Sequence, residues 1–250
     1  MHYIYDGSFD GLLTVCYEHA YREKATEISV DSPDLQLSLG GQFRVETDLV
    51  KSEKVADALE TKVSKQAMRR AYRAFLTKEE GKDMDVLTYI FYAFKKGPSV
   101  DSLHGDPVVR RIDLLNHKVS WEVERFLGIL RFGIVTGDDG REIMYAAFAP
   151  NCDILQSIMP HFLNRFRREP FIIHDFKREK AAFAHNGTWV MRPLPKDYSP
   201  EYTKDEQQYQ ALWKSYFKTA AISQRVNHNL QKQFVPKRYW QYTVEYTDQK

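Results

Sequence analysis

The sequence predicts an α+β protein: a helical segment followed by a mainly antiparallel sheet, with C-terminal helices packed on it. Three observations carry this. Helical periodicity dominates from about residue 52 to 130, strand and hairpin signals dominate from about 131 to 195, and the two kinds do not alternate as a doubly wound parallel sheet requires. The chain divides on this reading into residues 1–85, a β/α segment with a basic helix, and residues 86–250, an α+β domain ending in "PKRYW".

The elements follow in order. "HYIYDG" reads as a short strand and turn, and Ser8 caps a helix with Leu12, Leu13, Val15, Cys16 and His19 on helical spacing. "QFRVETDLV" (Gln42 to Val50) reads as a second strand, after which Ser52 caps a helix whose stripe is Val55, Leu59, Val63, Ala67, Ala71 and Phe75. "TKEE" (Thr77 to Glu80) has capping-box form, and "KKGP" (Lys95 to Pro98) closes the helix it opens. Asp106 and Pro107 start the next helix, with Val108, Ile112, Leu115, Val119, Val123, Phe126 and Leu130 alternating steps of four and three; one helix or two joined near Ser120 both fit.

"RFGIVTGDDGREIMYAAFAP" reads as a hairpin around Asp139-Gly140, and "DILQSIMPHFLNRF" as a helix broken or started at Pro160. "FIIHDFKREKAAFAHNGTWVMRPL" reads as three strands, the last two joined by Asn186-Gly187. The linker "RPLPKDYSP" leads to a helix of Tyr209, Leu212, Trp213, Tyr216, Phe217 and Ala220. Pro236 then takes the first position of a short terminal helix.

Composition excludes several classes. The 250 residues hold 36 Lys plus Arg against 34 Asp plus Glu, so net charge gives no polyanion signal and any basic surface must come from clustering. Two cysteines, Cys16 and Cys152, cannot build a disulfide framework, a thiolate zinc site or an iron–sulfur cluster within one chain. The opening residues lack a signal peptide's basic region, and hydrophobic runs such as "YIFYAF" fall far below the ~20 residues a membrane helix needs. A cytoplasmic protein with no membrane contact is expected. No cofactor is indicated. The one compositional excess is aromatic, with 15 Tyr, 15 Phe and 4 Trp.

Three clusters could carry function. Lys62, Lys65, Arg69 and Arg73 step by three and four on the helix of residues 52–76; such a ridge can track phosphates, although most charged faces are only solvated. In "MPHFLNRFRREPF", Arg165, Arg167 and Arg168 lie beside Phe162, Phe166 and Phe171, followed by Lys177, Arg178 and Lys180. Rings could stack on an unpaired base while guanidinium groups hold its phosphates, or the phenylalanines could be core and the arginines solvent-facing. His161, His174, Asp175 and His185 are the titratable candidates. His174 and Asp175 are strand neighbours pointing to opposite faces, a symmetric turn over Lys177 to Lys180 would set His174 opposite Phe183, and the histidines read better as structural than as metal ligands, so no metal site is expected. Asp138 and Asp139 read as turn chemistry. There is no Walker A loop, HExxH or Gly-x-Ser-x-Gly motif.

The C-terminal order Trp213, Tyr216, Phe217, Arg225, Asn227, Gln231, Gln233, Pro236, Lys237, Arg238, Tyr239 and Trp240, with "VERFLGILRFG", "MPHFLNRF" and "FIIHDFKRE", resembles a bacterial family of DNA-metabolism or repair proteins. The C-terminal domain of that family, of unknown function, also occurs fused to uracil-DNA glycosylase domains. The opening "YIYDGSFDGLLTVCYE" is similar to that of full-length members. The resemblance implies a protein encoded beside a radical-SAM protein and acting with it on DNA. It supplies no catalytic residues: the chain lacks both the three-cysteine radical-SAM motif and the glycosylase segments.

An accessory protein that binds nucleic acid, DNA above all, and works with a radical-SAM partner is the leading expectation. Arg165, Arg167, Arg168, Arg178, Arg225, Lys237 and Arg238 would meet phosphates, and Tyr239 or Trp240 would offer a stacking surface. The alternatives are a DNA-processing enzyme using His161 with Asp175 as acid and base, and a protein–protein adaptor using the aromatic excess. In the terminal stretch, one of Tyr239 and Trp240 is expected to pack on the Trp213/Tyr216/Phe217 helix while the other faces outward.

Overall fold

The computed structural model describes residues 1–32, 41–137, 140–222, 225 and 227–246. They fall into two compact units, Met1–Ser120 and Trp121–Lys250. The chain as a whole is α+β, with a mixed five-stranded sheet in the second unit, although the smaller sheet of the first unit is parallel throughout. Residues 85 and 86, where a boundary was expected, lie within a helix, Lys82–Lys96.

In the first unit, strand β1 (His2–Tyr5) is central to a three-stranded parallel sheet, with β2 (Glu27–Val30) on one side and β3 (Gln42–Arg44) on the other. All four β1 residues are buried, as suits a parallel strand covered on both faces. Helix α1 (Phe9–Tyr21) starts where the Ser8 hydroxyl accepts the Gly11 N–H at 2.9 Å. Asp6 ties the ends of β1 and β3 together, accepting from the Ser8 N–H at 2.9 Å and the Thr47 hydroxyl at 2.8 Å.

Gly11 is required by this packing. A Cβ there would lie 2.3 Å from Asp6 Oδ1 and 2.9 Å from Tyr5 Cδ2. Gly→Ala in a helix ordinarily stabilises by up to ~1 kcal/mol, but overpacking of this kind costs about 1–3 kcal/mol. Gly11→Ala is therefore expected to lower stability, read as a lower melting temperature by far-ultraviolet circular dichroism.

The helices correct several sequence expectations. The strand expected over Gln42 to Val50 ends at Arg44, because Asp48 accepts the Val50 and Lys51 N–H groups and opens α2 (Leu49–Lys62). Ser52 is not a cap; it is buried, and its hydroxyl donates to Asp10 at 2.9 Å. The single helix of residues 52–76 is two: the Ser64 hydroxyl caps α3 (Lys65–Phe75) by accepting the Ala67 N–H. Leu59, Val63, Ala67 and Ala71 are buried nonetheless, since the i+4 pattern resumes after the break. Thr77 opens no capping box; its hydroxyl donates back to the Ala74 carbonyl, and α4 (Lys82–Lys96) begins after Gly81. Gly97, at φ 64°, ends α4 as "KKGP" implies. Helix α5 (Pro107–Ile129) is continuous and opens with Asp106 accepting the Val108 N–H at 2.9 Å.

The second unit is built on a five-stranded sheet in sequential order: β4 (Gly133–Thr136), β5 (Glu142–Phe148), β6 (Phe171–Asp175), β7 (Lys180–His185) and β8 (Thr188–Pro193). Three pairings are antiparallel and β5–β6 is parallel, the crossover being α6 (Leu155–Arg165). Pro160 lies inside α6 without breaking or starting it. Asn186 and Gly187 both take positive φ, 48° and 75°, the conformation of a two-residue hairpin turn. Asp138 and Asp139, at the tip between β4 and β5, lie outside the described residues. Helix α7 (Lys204–Ala220), α8 (His228–Phe234) and 3₁₀ turns at Lys237–Tyr242 and Val244–Tyr246 follow among the described residues. All four tryptophans, Trp121, Trp189, Trp213 and Trp240, belong to this unit.

Candidate nucleic-acid interface

The "PKRYW" stretch is anchored from below. Tyr239 is fully buried against Phe126 of α5, ring centroids 4.7 Å apart, and its phenol donates to Glu122 at 2.6 Å. Glu122 is itself buried and also accepts the Asn151 and Cys152 N–H groups at 2.8 and 2.6 Å. Burial alone would raise the Glu122 pKa; the hydrogen bonds from Tyr239, Asn151 and Cys152 together outweigh it and hold the carboxyl below its ordinary value. For the Tyr239 phenol, burial and the Glu122 carboxylate act in the same direction and push its pKa up to about 12.

Tyr239 thus packs on α5, not on the Trp213/Tyr216/Phe217 helix. Trp240 is half-buried: it stacks on Tyr246 at 4.6 Å, and its indole N–H donates to the Val235 carbonyl at 2.7 Å. Arg238 donates to the Tyr239 hydroxyl at 2.7 Å, while Lys237 is exposed and lies 5.9 Å from the Trp240 ring centre. No residue of α7 is buried, and Tyr209, Leu212 and Tyr216 are 70%, 65% and 62% exposed.

The cations after β6 serve the same architecture. Asp175 is fully buried and accepts from Arg178 at 2.9 Å and from the Lys177 N–H at 3.0 Å. Burial keeps the Asp175 carboxyl above its ordinary pKa in spite of Arg178. Arg178 also donates to the Pro150 and Asn151 carbonyls at 3.3 and 2.6 Å, Lys177 to the Asn151 side chain at 2.7 Å, and Lys180 to Asp153 at 2.6 Å. The turn spans residues 176–179, so His174 pairs with Ala181 and not with Phe183, a two-residue shift from the symmetric hairpin expected.

No hydrogen bond or ion pair joins His161 and Asp175 among the described residues. His161 is exposed on α6 with its ring against Phe162 at 5.0 Å, whereas Asp175 is enclosed with Arg178. His185 is exposed at the end of β7. Among the described residues no three or more His, Cys, Asp or Glu groups converge as a metal site.

What remains free is specific. Arg165, Arg167 and Arg168 are exposed at the end of α6 and form no ion pair among the described residues; Arg167 donates to Asn164 at 3.0 Å. Their neighbouring rings are core: Phe162 and Phe171 are buried, and Phe132 sits 5.1 to 5.9 Å from Phe162, Phe166 and Phe171. Arg225 is exposed as well. In the first unit, Lys65, Arg69 and Arg73 form an exposed ridge along α3, with Lys62 at the end of α2, and none forms an ion pair among the described residues.

Sequence reasoning missed one site altogether. A cleft of about 540 Å³ in the second unit is lined by Tyr145 of β5, Phe176, Tyr198 and Tyr202 from the approach to α7, and Tyr242 from the terminal 3₁₀ turn. Beneath it, the Tyr145 phenol lies 2.8 Å from His174 Nδ1, and His174 Nε2 lies 3.1 Å from the Leu194 carbonyl. A carbonyl only accepts, so Nε2 carries the proton and Nδ1 accepts from Tyr145. Burial lowers the His174 pKa against a smaller opposing effect of the Leu194 carbonyl, which keeps the ring neutral. Tyr202 lies over Gly133, where a Cβ would come within 2.7 Å of its ring. The only signal in sequence was the excess of 15 tyrosines; nothing local places Tyr145 beside residues 53 to 97 positions away.

Every residue of this cleft falls inside a match of the chain's residues 80–245 to a family model, DUF4130, a domain of unknown function. The chain belongs to the DUF4130 family. The match takes in the α6 arginines, the tyrosine cleft and the Glu122–Tyr239 anchor together. No curated protein matches the chain. Among solved structures, a pGpG-specific phosphodiesterase from Vibrio cholerae aligns over 88% of this chain and 99% of its own at 8% identity. Its TM-score of 0.35 is too low to bear on fold or activity.

Proposed function

We propose that this DUF4130 protein is a cytoplasmic accessory factor that binds single-stranded nucleic acid, DNA above all, and acts in DNA repair or modification with a radical-SAM partner. The observation that carries the binding reading is the group of three exposed arginines at and just beyond the end of α6, none of them ion-paired among the described residues, in a region where Asp175 and Asp153 hold Arg178 and Lys180 and Asn151 holds Lys177. Exposed cations without a carboxylate partner are available to phosphates. The α3 ridge of Lys65, Arg69 and Arg73 is a second free surface of the same sign. The DNA context and the radical-SAM partner rest on the resemblance of the C-terminal sequence.

Fluorescence anisotropy of a labelled single strand tests this. Log affinity should fall linearly with log salt, and replacing Arg165, Arg167 and Arg168 by alanine should flatten the slope by about 2, at ~0.7 for each single-strand phosphate no longer neutralised. Lys177→Ala should leave the slope unchanged. Equal slopes for the triple variant and wild type would remove the assignment.

A specific observation also favours an adaptor role. The exposed Tyr209, Leu212 and Tyr216 give α7 an apolar face suited to a protein partner. Co-purification with the radical-SAM protein, lost in Tyr209→Ser/Tyr216→Ser, checks it.

A further inference from the structure

We infer that the tyrosine cleft of the second unit receives one unpaired nucleobase, its phosphate directed toward Arg131 at the rim. The inference rests on the nucleic-acid reading above and names the part of the strand that this site takes.

The cleft's volume, about 540 Å³, lies in the range of small-ligand sites, ~300–1,000 Å³. Its walls are aromatic. Tyr198 and Tyr202 are each 37% exposed, so their rings are partly uncovered, and Tyr145 forms part of the floor with its hydroxyl already committed to His174. Stacking on such rings is available to any base, because every base has a π-face.

The polar groups suit a nucleotide better than a peptide or a lipid. Arg131 is exposed; one of its guanidinium nitrogens donates to the Gly128 carbonyl at 3.2 Å, and its remaining N–H groups supply the donors for a phosphate. Gln210 and Gln241, whose amide nitrogens donate to Glu206 and to the Arg238 carbonyl, keep a second N–H and an acceptor oxygen each. Glu206 sits in the lining at hydrogen-bond distance from Gln210, 2.8 Å, and can accept from a base's exocyclic amino group. Guanine, cytosine and adenine are therefore preferred over thymine.

Gly133 belongs to the same construction. Only a residue without a Cβ lets Tyr202 lie where it does, and the Tyr202 ring is the wall between β4 and α7.

The test is a single strand carrying one 2-aminopurine, followed both by base fluorescence and by the anisotropy of an end label. With wild type, anisotropy should rise and 2-aminopurine emission should change at saturation. Tyr202→Ala should abolish the emission change and weaken binding about tenfold, the low end for a lost base–aromatic stack. Tyr202→Phe should restore both. The Arg165/Arg167/Arg168 alanine variant should bind more weakly yet keep the full emission change once saturated. If the strand binds and the emission change survives in Tyr202→Ala, the cleft assignment is overturned while the arginine interface stands. Should no strand bind at all, the nucleic-acid reading fails and the cleft assignment falls with it. Tyrosine fluorescence that responds to a proline-rich peptide and not to the strand would reassign the cleft to peptide docking.

Discussion

Glu122→Ala is expected to destabilise the second unit by about 4 kcal/mol. The substitution strands the Asn151 and Cys152 N–H groups and the Tyr239 hydroxyl, which have Glu122 as their acceptor. A buried donor left without a partner costs about 1–3 kcal/mol, and three are affected, those of Cys152 and Tyr239 in fully buried hydrogen bonds. Tyr239→Phe removes one donor and leaves Glu122 its two backbone N–H donors and the Arg238 guanidinium at 4.0 Å, so it should cost about 1–2 kcal/mol. Because all four tryptophans lie beyond residue 120, urea unfolding followed by tryptophan fluorescence reports this unit.

The same carboxylate sets a pH dependence. Its pKa is depressed in the folded protein, so its contribution is present above the unfolded value of ~4.3 and is lost as pH falls through the folded value. The stability difference between wild type and Glu122→Gln should therefore shrink as pH drops below ~4. Asp175 has the opposite sign. Its folded pKa is raised, so its contribution declines as pH climbs from its unfolded value of ~3.9 through the folded one.

Asp175→Ala is the second large effect, expected to cost about 3 kcal/mol. That is the low end for removing one partner of a buried pair, chosen because the Arg178 side chain is 23% exposed. The two sites should couple. Glu122 takes the N–H groups of Asn151 and Cys152, while Arg178 takes the carbonyls of Pro150 and Asn151, so both hold one loop from different sides. Loss of either loosens the loop for the other. The Glu122→Ala/Asp175→Ala double variant should lose less than the sum of the singles by ~0.5–3 kcal/mol, measured by the same urea titration.

This loop explains why the basic run after β6 misled. Arginine and lysine beside phenylalanine look alike in sequence whether the cations meet phosphate or backbone carbonyl. What decides is the position of Pro150, Asn151 and Asp153, which reach Lys177, Arg178 and Lys180 from some 26 to 28 residues upstream. Local signals did better. The Ser8 cap, the Asp106-Pro107 start, the Gly97 stop and the Asn186-Gly187 turn all depend on neighbours within a few residues, and all stand.

The failures share a cause too. The stripe from Val55 to Phe75 keeps an i+4 step across Val63 and Ser64, so periodicity alone reads through a break that the Ser64 side chain creates. Of the three-stranded parallel sheet, β1 and β3 were legible as strands, but β2, four residues of exposed or half-buried side chains with no alternation of buried and exposed faces, was not, and with it the parallel pairing. The tyrosine cleft is built from five segments, and its members have no spacing to detect.

The surface thus separates into cations used by the fold and cations left free. Photocrosslinking of a single strand carrying 5-iodocytosine, with the attached peptides sequenced, maps that division directly. Crosslinks are expected at Tyr198, Tyr202 or Tyr242 and in the peptide holding Arg165 to Arg168. Crosslinks confined to residues 177–180 and to Tyr239, with none at the cleft, would overturn the division.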